Sequence, residues 1–89
     1  MRMIICAECN SVIIAVEQKE VETCKCGDCQ LISEKGKYLY TGENAIAMGI
    51  DDASMIKALR LTQESDKNTD CLAYMIRESD PNFYKVPKL

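Results

Sequence analysis

The chain has 89 residues, with 11 basic and 14 acidic side chains and a formal net charge of −3. A domain this small removes only roughly 60% of its unfolded surface from water, and one Phe with no Trp adds little bulk to a core. We therefore expect one domain that needs a stabilising element beyond hydrophobic burial. No segment has the roughly 20 consecutive apolar residues of a membrane span. Glu8 and Asn10 interrupt the N-terminal apolar run where a signal peptide would be continuous, so we expect a cytoplasmic protein.

Cysteines are the most informative residues of the sequence. Five of the six lie in the first third of the chain, in the pattern C-x2-C, fourteen residues, then C-x-C-G-x-C. In a reducing cytoplasm such spacing favours metal binding over disulfides, because two tight turns can each present two thiolates to one tetrahedral ion. The six are Cys6, Cys9, Cys24, Cys26, Cys29 and the isolated Cys71.

One structural Zn²⁺ needs four ligands, so one of the five clustered cysteines must be left out. The second pair of ligands is either Cys24 with Cys26 or Cys26 with Cys29. Gly27 favours the first choice, because glycine after the second ligand permits the left-handed turn that closes such a knuckle. The predicted ligands are therefore Cys6, Cys9, Cys24 and Cys26.

The β-part of the chain is predicted from runs of apolar and β-branched residues. We expect a first strand before Cys6 and a zinc-ribbon hairpin in which residues 21–23 return alongside residues 11–16. A second hairpin is expected where residues 30–33 and 37–40 flank a loop that contains Gly36.

Helical spacing is predicted from residue 44 onwards. Asp51 or Asp52 can cap a helix that runs to about Ser65, with Ile56 and Leu59 on its apolar stripe.

A second helix is expected to begin at Asn68 or Thr69 and to end at Asp80-Pro81, with Leu72, Met75 and Ile76 facing inward. The predicted class is α+β, with four-cysteine zinc-ribbon-like hairpins followed by two short helices. We expect a single domain over residues 1–89, made of a β-part at 1–43 and a helical extension and tail at 44–89.

Enzyme activity is not expected. The chain has no His, which removes the commonest general base and every nucleophile that His activates. The adjacent carboxyl groups of Asp51 and Asp52 are better explained as a helix cap. A zinc ion bound by four thiolates has no open position for water, so the site is predicted to be structural.

The net charge helps to distinguish two kinds of partner, nucleic acid and protein. A zinc ion with four thiolates carries a local charge of about −2, which takes the formal charge from −3 to about −5 and disfavours direct binding of nucleic acid. A basic edge with two aromatic rings, Tyr38 and Tyr40, is the alternative that would bind bases, although these rings can equally pack in the core. The lysines of this edge are Lys19, Lys25, Lys35 and Lys37.

Acidic residues of the second half favour a protein partner. They suit a basic protein that handles nucleic acid, whose phosphate-binding groove they could occupy. We expect no membrane partner and a monomeric protein. The acidic positions are Asp51, Asp52, Glu64, Asp66, Asp70, Glu78 and Asp80.

The segment from Ile4 to Gly42 resembles a family of small zinc-ribbon-like proteins encoded by phages and prophages of Gram-positive bacteria. The shared layout is C-x2-C, a hairpin, C-x-C, an apolar strand at Leu31-Ile32 and a Tyr-containing strand at Tyr38-Leu39 that ends near Gly. In that family the position of Cys29 is commonly not cysteine, so the resemblance implies that Cys29 is not a ligand. The chain departs from the family at Lys19-Glu20, where relatives tend to have a His-Asp pair.

As a small acidic zinc protein with an extension, the chain also resembles metal-containing type II-A anti-CRISPR proteins. That resemblance implies a phage protein, acting in the cytoplasm of a bacterial host, that binds Cas9 and inhibits it by blocking DNA loading. The alternative is a zinc-ribbon accessory protein that binds nucleic acid directly.

Overall fold

The computed structural model describes residues 1–17, 20–64 and 68–89. In these ranges the chain forms one antiparallel sheet, one mixed sheet and a single helix. The elements are β1 (Arg2–Cys6), β2 (Val12–Ile14), β3 (Glu22–Thr23), β4 (Gln30–Glu34), β5 (Lys37–Thr41), β6 (Ala45–Ile50), α1 (Asp52–Glu64), β7 (Ala73–Met75), β8 (Ser79–Asp80) and β9 (Phe83–Lys85). The described protein is thus mostly β, which corrects the predicted fold of two hairpins followed by two helices.

Each sheet combines strands from both halves of the sequence. The first has the strand order β2-β1-β6-β7 and the second the order β3-β4-β5-β9-β8. All pairs are antiparallel except β5 and β9, which run parallel with Tyr38 opposite Phe83. Strands β6 to β9 occupy the part that was predicted as a helical extension, so residues 44–89 add strands to both sheets.

The predicted zinc-ribbon hairpin between residues 11–16 and 21–23 is wrong. Strand β2 pairs instead with β1, with Met3 opposite Ile14, and β3 pairs with β4, with Thr23 opposite Gln30. The physical reason is that each C-x-C or C-x2-C turn reverses the chain, so the strand that follows the turn pairs with the strand that precedes it. Each knuckle is therefore the turn of its own hairpin, one in each sheet.

The hairpin from β4 to β5 is confirmed. Lys35 and Gly36 form its two-residue loop with φ of 51° and 79°, the left-handed values that match the twist of a tight hairpin.

Helix α1 begins and ends close to the predicted positions. Asp51 is its N-cap, since its Oδ2 accepts a hydrogen bond from the Ser54 N–H at 2.8 Å. The predicted apolar stripe is wrong, because Ile56 is 48% and Leu59 57% exposed while Ala58 is buried. No helix among the described residues is long and apolar enough to cross a membrane.

The predicted second helix, between Asn68 or Thr69 and Asp80, is also wrong. Its middle forms β7, where Tyr74 lies opposite Gly49 of β6, and its end forms β8. Leu72 and Met75 are 69% and 68% exposed, so neither faces inward. Pairing with the apolar strand β6 outweighs the helical spacing, because a free sheet edge satisfies the backbone of β7 without a helix.

The core lies between the two sheets and is small. Tyr40 and Phe83 are its largest fully buried side chains, with ring centroids 5.4 Å apart, and the ring of Tyr38 lies 5.7 Å from Phe83. Three cysteines are buried in the same cluster, which places the sulfur atoms where a larger domain would have aliphatic side chains. The cluster consists of Ile4, Cys6, Ile13, Cys24, Cys29, Leu31, Tyr40, Ala47 and Phe83.

Replacing Phe83 with Ala should lower the free energy of unfolding by about 3–5 kcal/mol, because the change leaves a cavity beneath the two tyrosines. Urea unfolding of the metal-loaded protein measures this loss. Leu72→Ala is the matched control: since Leu72 is 69% exposed, its truncation should change stability by less than about 0.5 kcal/mol. Equal losses in the free energy of unfolding at the two positions would show that Phe83 is not at the centre of the core.

Candidate metal centre

The first knuckle closes the hairpin of β1 and β2. Cys6 ends β1, and its N–H donates to the Ser11 carbonyl at 2.9 Å, while the Asn10 N–H donates to the Cys6 carbonyl at 2.8 Å. Asn10, directly after Cys9, has a φ of 60°. Asparagine is one of the few residues that adopt this left-handed conformation readily, so the local sequence fits the turn.

The second knuckle repeats this arrangement between β3 and β4. The Cys24 N–H donates to the Cys29 carbonyl at 2.9 Å, and the Gly27 N–H donates to the Cys24 carbonyl at 3.1 Å. Gly27 has a φ of 84°, as predicted from its position after Cys26. In both knuckles the backbone N–H of the first cysteine therefore donates a hydrogen bond to the carbonyl of the residue five positions later. That residue is Ser11 in the first knuckle and Cys29 in the second.

The two knuckles bring four sulfur atoms together where the sheets meet. The Sγ atoms of Cys6 and Cys26 are 3.6 Å apart and those of Cys24 and Cys26 are 3.5 Å apart. All four sulfurs of the predicted set, which includes Cys9, lie within 4.8 Å of one another. A tetrahedral ion with metal–sulfur bonds of about 2.3 Å needs sulfurs about 3.8 Å apart. These four cysteines thus lie within metal-binding distance, in a geometry compatible with zinc.

Cys29 occupies a different place from the four. Its Sγ lies 3.6 Å from Asp28 Oδ2. Cys29 and Asp28 form a second group of possible ligands with Cys6, which belongs to both groups. Burial raises the pKa of the Cys29 thiol, which favours a protonated side chain packed in the core. Its N–H donates to Cys24 Sγ at 3.2 Å, so the residue supports a neighbouring sulfur through its backbone. The geometry therefore favours Cys24 over Cys29 in the four-sulfur group.

The pKa values of Cys9 and Cys26 are shifted in opposite directions. Cys9 Sγ and Ser11 Oγ form a hydrogen bond of 3.0 Å, and this contact lowers the pKa of Cys9 to about 5. At Cys26 the Asp28 N–H lowers the pKa, but the Cys24 sulfur and burial outweigh it and raise the pKa to about 12. Sulfurs this close do not all ionise alone, whereas a divalent cation stabilises the fully ionised set.

Two supporting side chains, Ser11 and Asp28, were not predicted from the sequence. Ser11 contacts both knuckles, because its Oγ also accepts a hydrogen bond from the Lys25 N–H at 3.4 Å. Asp28 Oδ2 accepts from the Asn44 N–H at 3.0 Å, and this contact holds the pKa of Asp28 below its usual value. The equal five-residue offset of Ser11 and Cys29 from Cys6 and Cys24 is the sequence signal that could have indicated Ser11.

Cys71, Tyr38 and Tyr40 are not part of the four-sulfur group. Cys71 is exposed, and Tyr40 is 1% exposed in the core. Tyr38 is half-buried beside Phe83, so these tyrosines do not form an open platform for bases. Lys19, part of the predicted basic edge, lies outside the described residues.

Replacing Cys9 or Cys26 with Ser should release the bound ion and unfold the protein, because binding of a structural zinc supplies about 10–16 kcal/mol in small metal domains. Elemental analysis should find one zinc per wild-type chain and none per variant, and circular dichroism should show the loss of structure. Cys71→Ser, at an exposed position, should keep the ion and the fold. Equal zinc in all variants would contradict the assignment.

A second pair of variants separates the two alternatives for the fourth ligand. Cys24→Ser should lose zinc, whereas Cys29→Ser should retain one ion and lose only part of the stability, since it replaces a buried thiol with a hydroxyl. Zinc content and urea midpoint should be measured on the same samples. The opposite pattern, with zinc lost from Cys29→Ser alone, would assign Cys29 as the ligand.

Comparisons of the chain with known proteins return no match. No family model fits the sequence, and neither a curated protein nor a solved structure is similar to it. The four-sulfur cluster, the charges and the cavities of the chain are therefore the observations on which a function can be built.

Proposed function

We propose that the protein is a zinc-stabilised binding protein without enzymatic activity, which acts on a basic partner that handles nucleic acid. The four sulfurs would form a closed tetrahedral site around one Zn²⁺. Cys6 and Cys9 lie at the turn that joins β1 to β2 in one sheet, while Cys24 and Cys26 lie in the turn that joins β3 to β4 in the other. The proposed role of the ion is thus to crosslink the two sheets. Binding of the partner is then a role of the protein surface.

The chemistry of the chain supports a binding role over catalysis. It has no His, and Asp51 is engaged as the cap of α1. Four thiolates would fill the coordination sphere of zinc and leave no position for a reactive water. The charge of the surface then becomes the main clue to the partner.

The observation that carries the proposal is the exposed acidic surface around α1 and the segment that follows it. Exposed apolar side chains occur in the same part of the chain, at Ile56 and Leu59 of α1 and at Leu72 just before β7. An apolar centre with a charged rim is typical of protein interfaces, and a negative rim complements a surface that normally binds phosphates. Its exposed carboxylates include Asp51, Asp52, Glu64, Asp70 and Glu78; Asp80 is partly buried, and Asp66 lies outside the described residues.

Direct binding of nucleic acid is disfavoured by the same observations. The formal charge of −3 becomes about −5 with a four-thiolate zinc, and phosphate backbones repel such a surface. Tyr40, one of the two rings that could have stacked on bases, is buried against Phe83.

We propose a Cas9-type effector as the partner, in line with the resemblance to phage zinc-ribbon-like and anti-CRISPR proteins. On this hypothesis the acidic surface occupies the positively charged channel in which the guide heteroduplex is held. DNA loading would be blocked by competition for that channel, with no chemical step.

The proposal is tested by adding the purified protein to a Cas9–guide complex before target DNA. We expect loss of cleavage and co-purification with Cas9, and no binding to naked duplex at low salt. Glu64→Lys with Asp70→Lys should weaken inhibition about tenfold or more, because both changes replace attraction with repulsion.

The matched control is Glu17→Lys with Glu34→Lys, the same change in charge at two exposed positions elsewhere on the protein. It should leave inhibition nearly unchanged. Micromolar affinity for naked DNA that falls steeply with salt, together with unaffected Cas9 cleavage, would replace this proposal with the nucleic-acid-binding alternative.

A further inference from the structure

The first sheet places three residues in one row across β1, β6 and β7. Arg2 lies opposite Gly49, and Gly49 lies opposite Tyr74. Directly opposed residues of antiparallel strands project to the same face of a sheet, so Arg2 and Tyr74 flank a position that has no side chain. The position between the arginine and the tyrosine therefore has no side chain of its own.

Gly49 allows the Tyr74 ring to lie across the sheet. A Cβ at Gly49 would overlap the Cζ and Oη atoms of Tyr74, which shows that the hydroxyl end of the ring covers the glycine. Tyr74 as a whole is 42% exposed. The ring is thus held in place over β6 while part of it remains accessible to a planar ligand.

A cavity of about 410 Å³ opens beside this row, and its other wall is the connection from β7 to β8. Arg77 begins that wall at a fixed place, because the Ile76 N–H donates to the Ala47 carbonyl at 3.0 Å and the Asp80 N–H donates to the Arg77 carbonyl at 3.0 Å. Arg2, Tyr74, Arg77 and Ser79 all line the cavity. Two arginines therefore line one concave site together with a tyrosine and a serine.

Both arginines lack a partner in the described part of the chain. The ion pairs there join Lys85 to Glu78 at 3.5 Å and the N-terminus to Asp52, and neither guanidinium forms a hydrogen bond with a described residue. The acidic residue that lines the cavity is Asp80, whose Oδ1 accepts a hydrogen bond from the Asn82 N–H at 2.9 Å. In a protein of net charge −3, a cavity with two unpaired arginines and one carboxylate is locally positive.

We propose that this cavity binds a phosphate monoester that carries an aromatic group, of the size of a nucleoside monophosphate. Guanidinium groups form paired hydrogen bonds with phosphate oxygens, and the hydroxyls of Tyr74 and Ser79 add neutral donors. A phosphate dianion uses this number of donors better than a carboxylate, which has only two oxygens. The exposed part of the Tyr74 ring provides the surface on which the aromatic group stacks.

The charge of the whole protein restricts the ligand to a small molecule. A long polyanion would meet the exposed carboxylates outside the cavity, whereas a mononucleotide contacts only the positive site. The cavity volume falls within the range of about 300–1,000 Å³ that is usual for small-molecule sites. The proposed donors Arg2, Arg77 and Ser79 are not acidic-surface residues, so their test is separate from that of the proposed partner, although Asp80 is common to both sites.

The test is calorimetric titration of the zinc-loaded full chain with adenosine 5′-monophosphate, ribose 5-phosphate, inorganic phosphate and adenosine. We expect saturable binding of the nucleotide, weaker binding of the other two phosphates and none of adenosine. Arg77→Ala should weaken nucleotide binding at least about tenfold, as expected for a lost charge-assisted pair, and Arg77→Lys should restore only part of it.

Arg60→Ala is the matched control, because Arg60 is an exposed arginine of α1 outside the cavity and should leave affinity unchanged. Tyr74→Leu should reduce the affinity for the nucleotide to that for ribose 5-phosphate. Absence of saturable nucleotide binding at millimolar concentration would overturn the proposal. Binding that is equally tight for adenosine, or that survives Arg77→Ala in a folded protein, would overturn it as well.

Discussion

Four sulfur atoms lie where two small sheets meet, and the metal ion proposed there is the constraint on which the fold would depend. Each sheet contributes one knuckle. An ion held by Cys6, Cys9, Cys24 and Cys26 would therefore join two sheets that have few large side chains packed between them. The hydrophobic cluster beside them has only Tyr40 and Phe83 as large fully buried rings. Because so short a chain buries limited apolar surface, metal–sulfur bonds are the stabilising interaction best able to compensate.

The sequence predicted the sulfur cluster well because ligand spacing and turn chemistry are local. Gly27 after Cys26 indicated a left-handed knuckle, and the same residue has a φ of 84° in the fold. The pairing of the hairpins was wrong because spacing does not show which strand a knuckle returns to. The apolar run of β6 could have been recognised as a buried strand, since Ala45–Ile50 is bounded by Asn44 and Asp51.

The second predicted helix failed for a tertiary reason. Leu72, Met75 and Ile76 have helical spacing, but β6 offers a free edge whose backbone groups need partners, and β7 supplies them. Local preference decides structure only where no neighbouring strand competes. The Arg2–Gly49–Tyr74 row has the same origin: three strands far apart in sequence create it, so no local pattern could have predicted it.

Zinc titration of the reduced, metal-free protein tests the central claim most directly, with far-ultraviolet circular dichroism and amide NMR dispersion recorded at each addition. The account predicts a chain without fixed tertiary structure that gains both signals together and saturates at one equivalent of zinc per chain, since the ion and the sheet junction form in one step. A metal-free chain that already has the full β-signal and dispersed amides, unchanged by zinc, would contradict it.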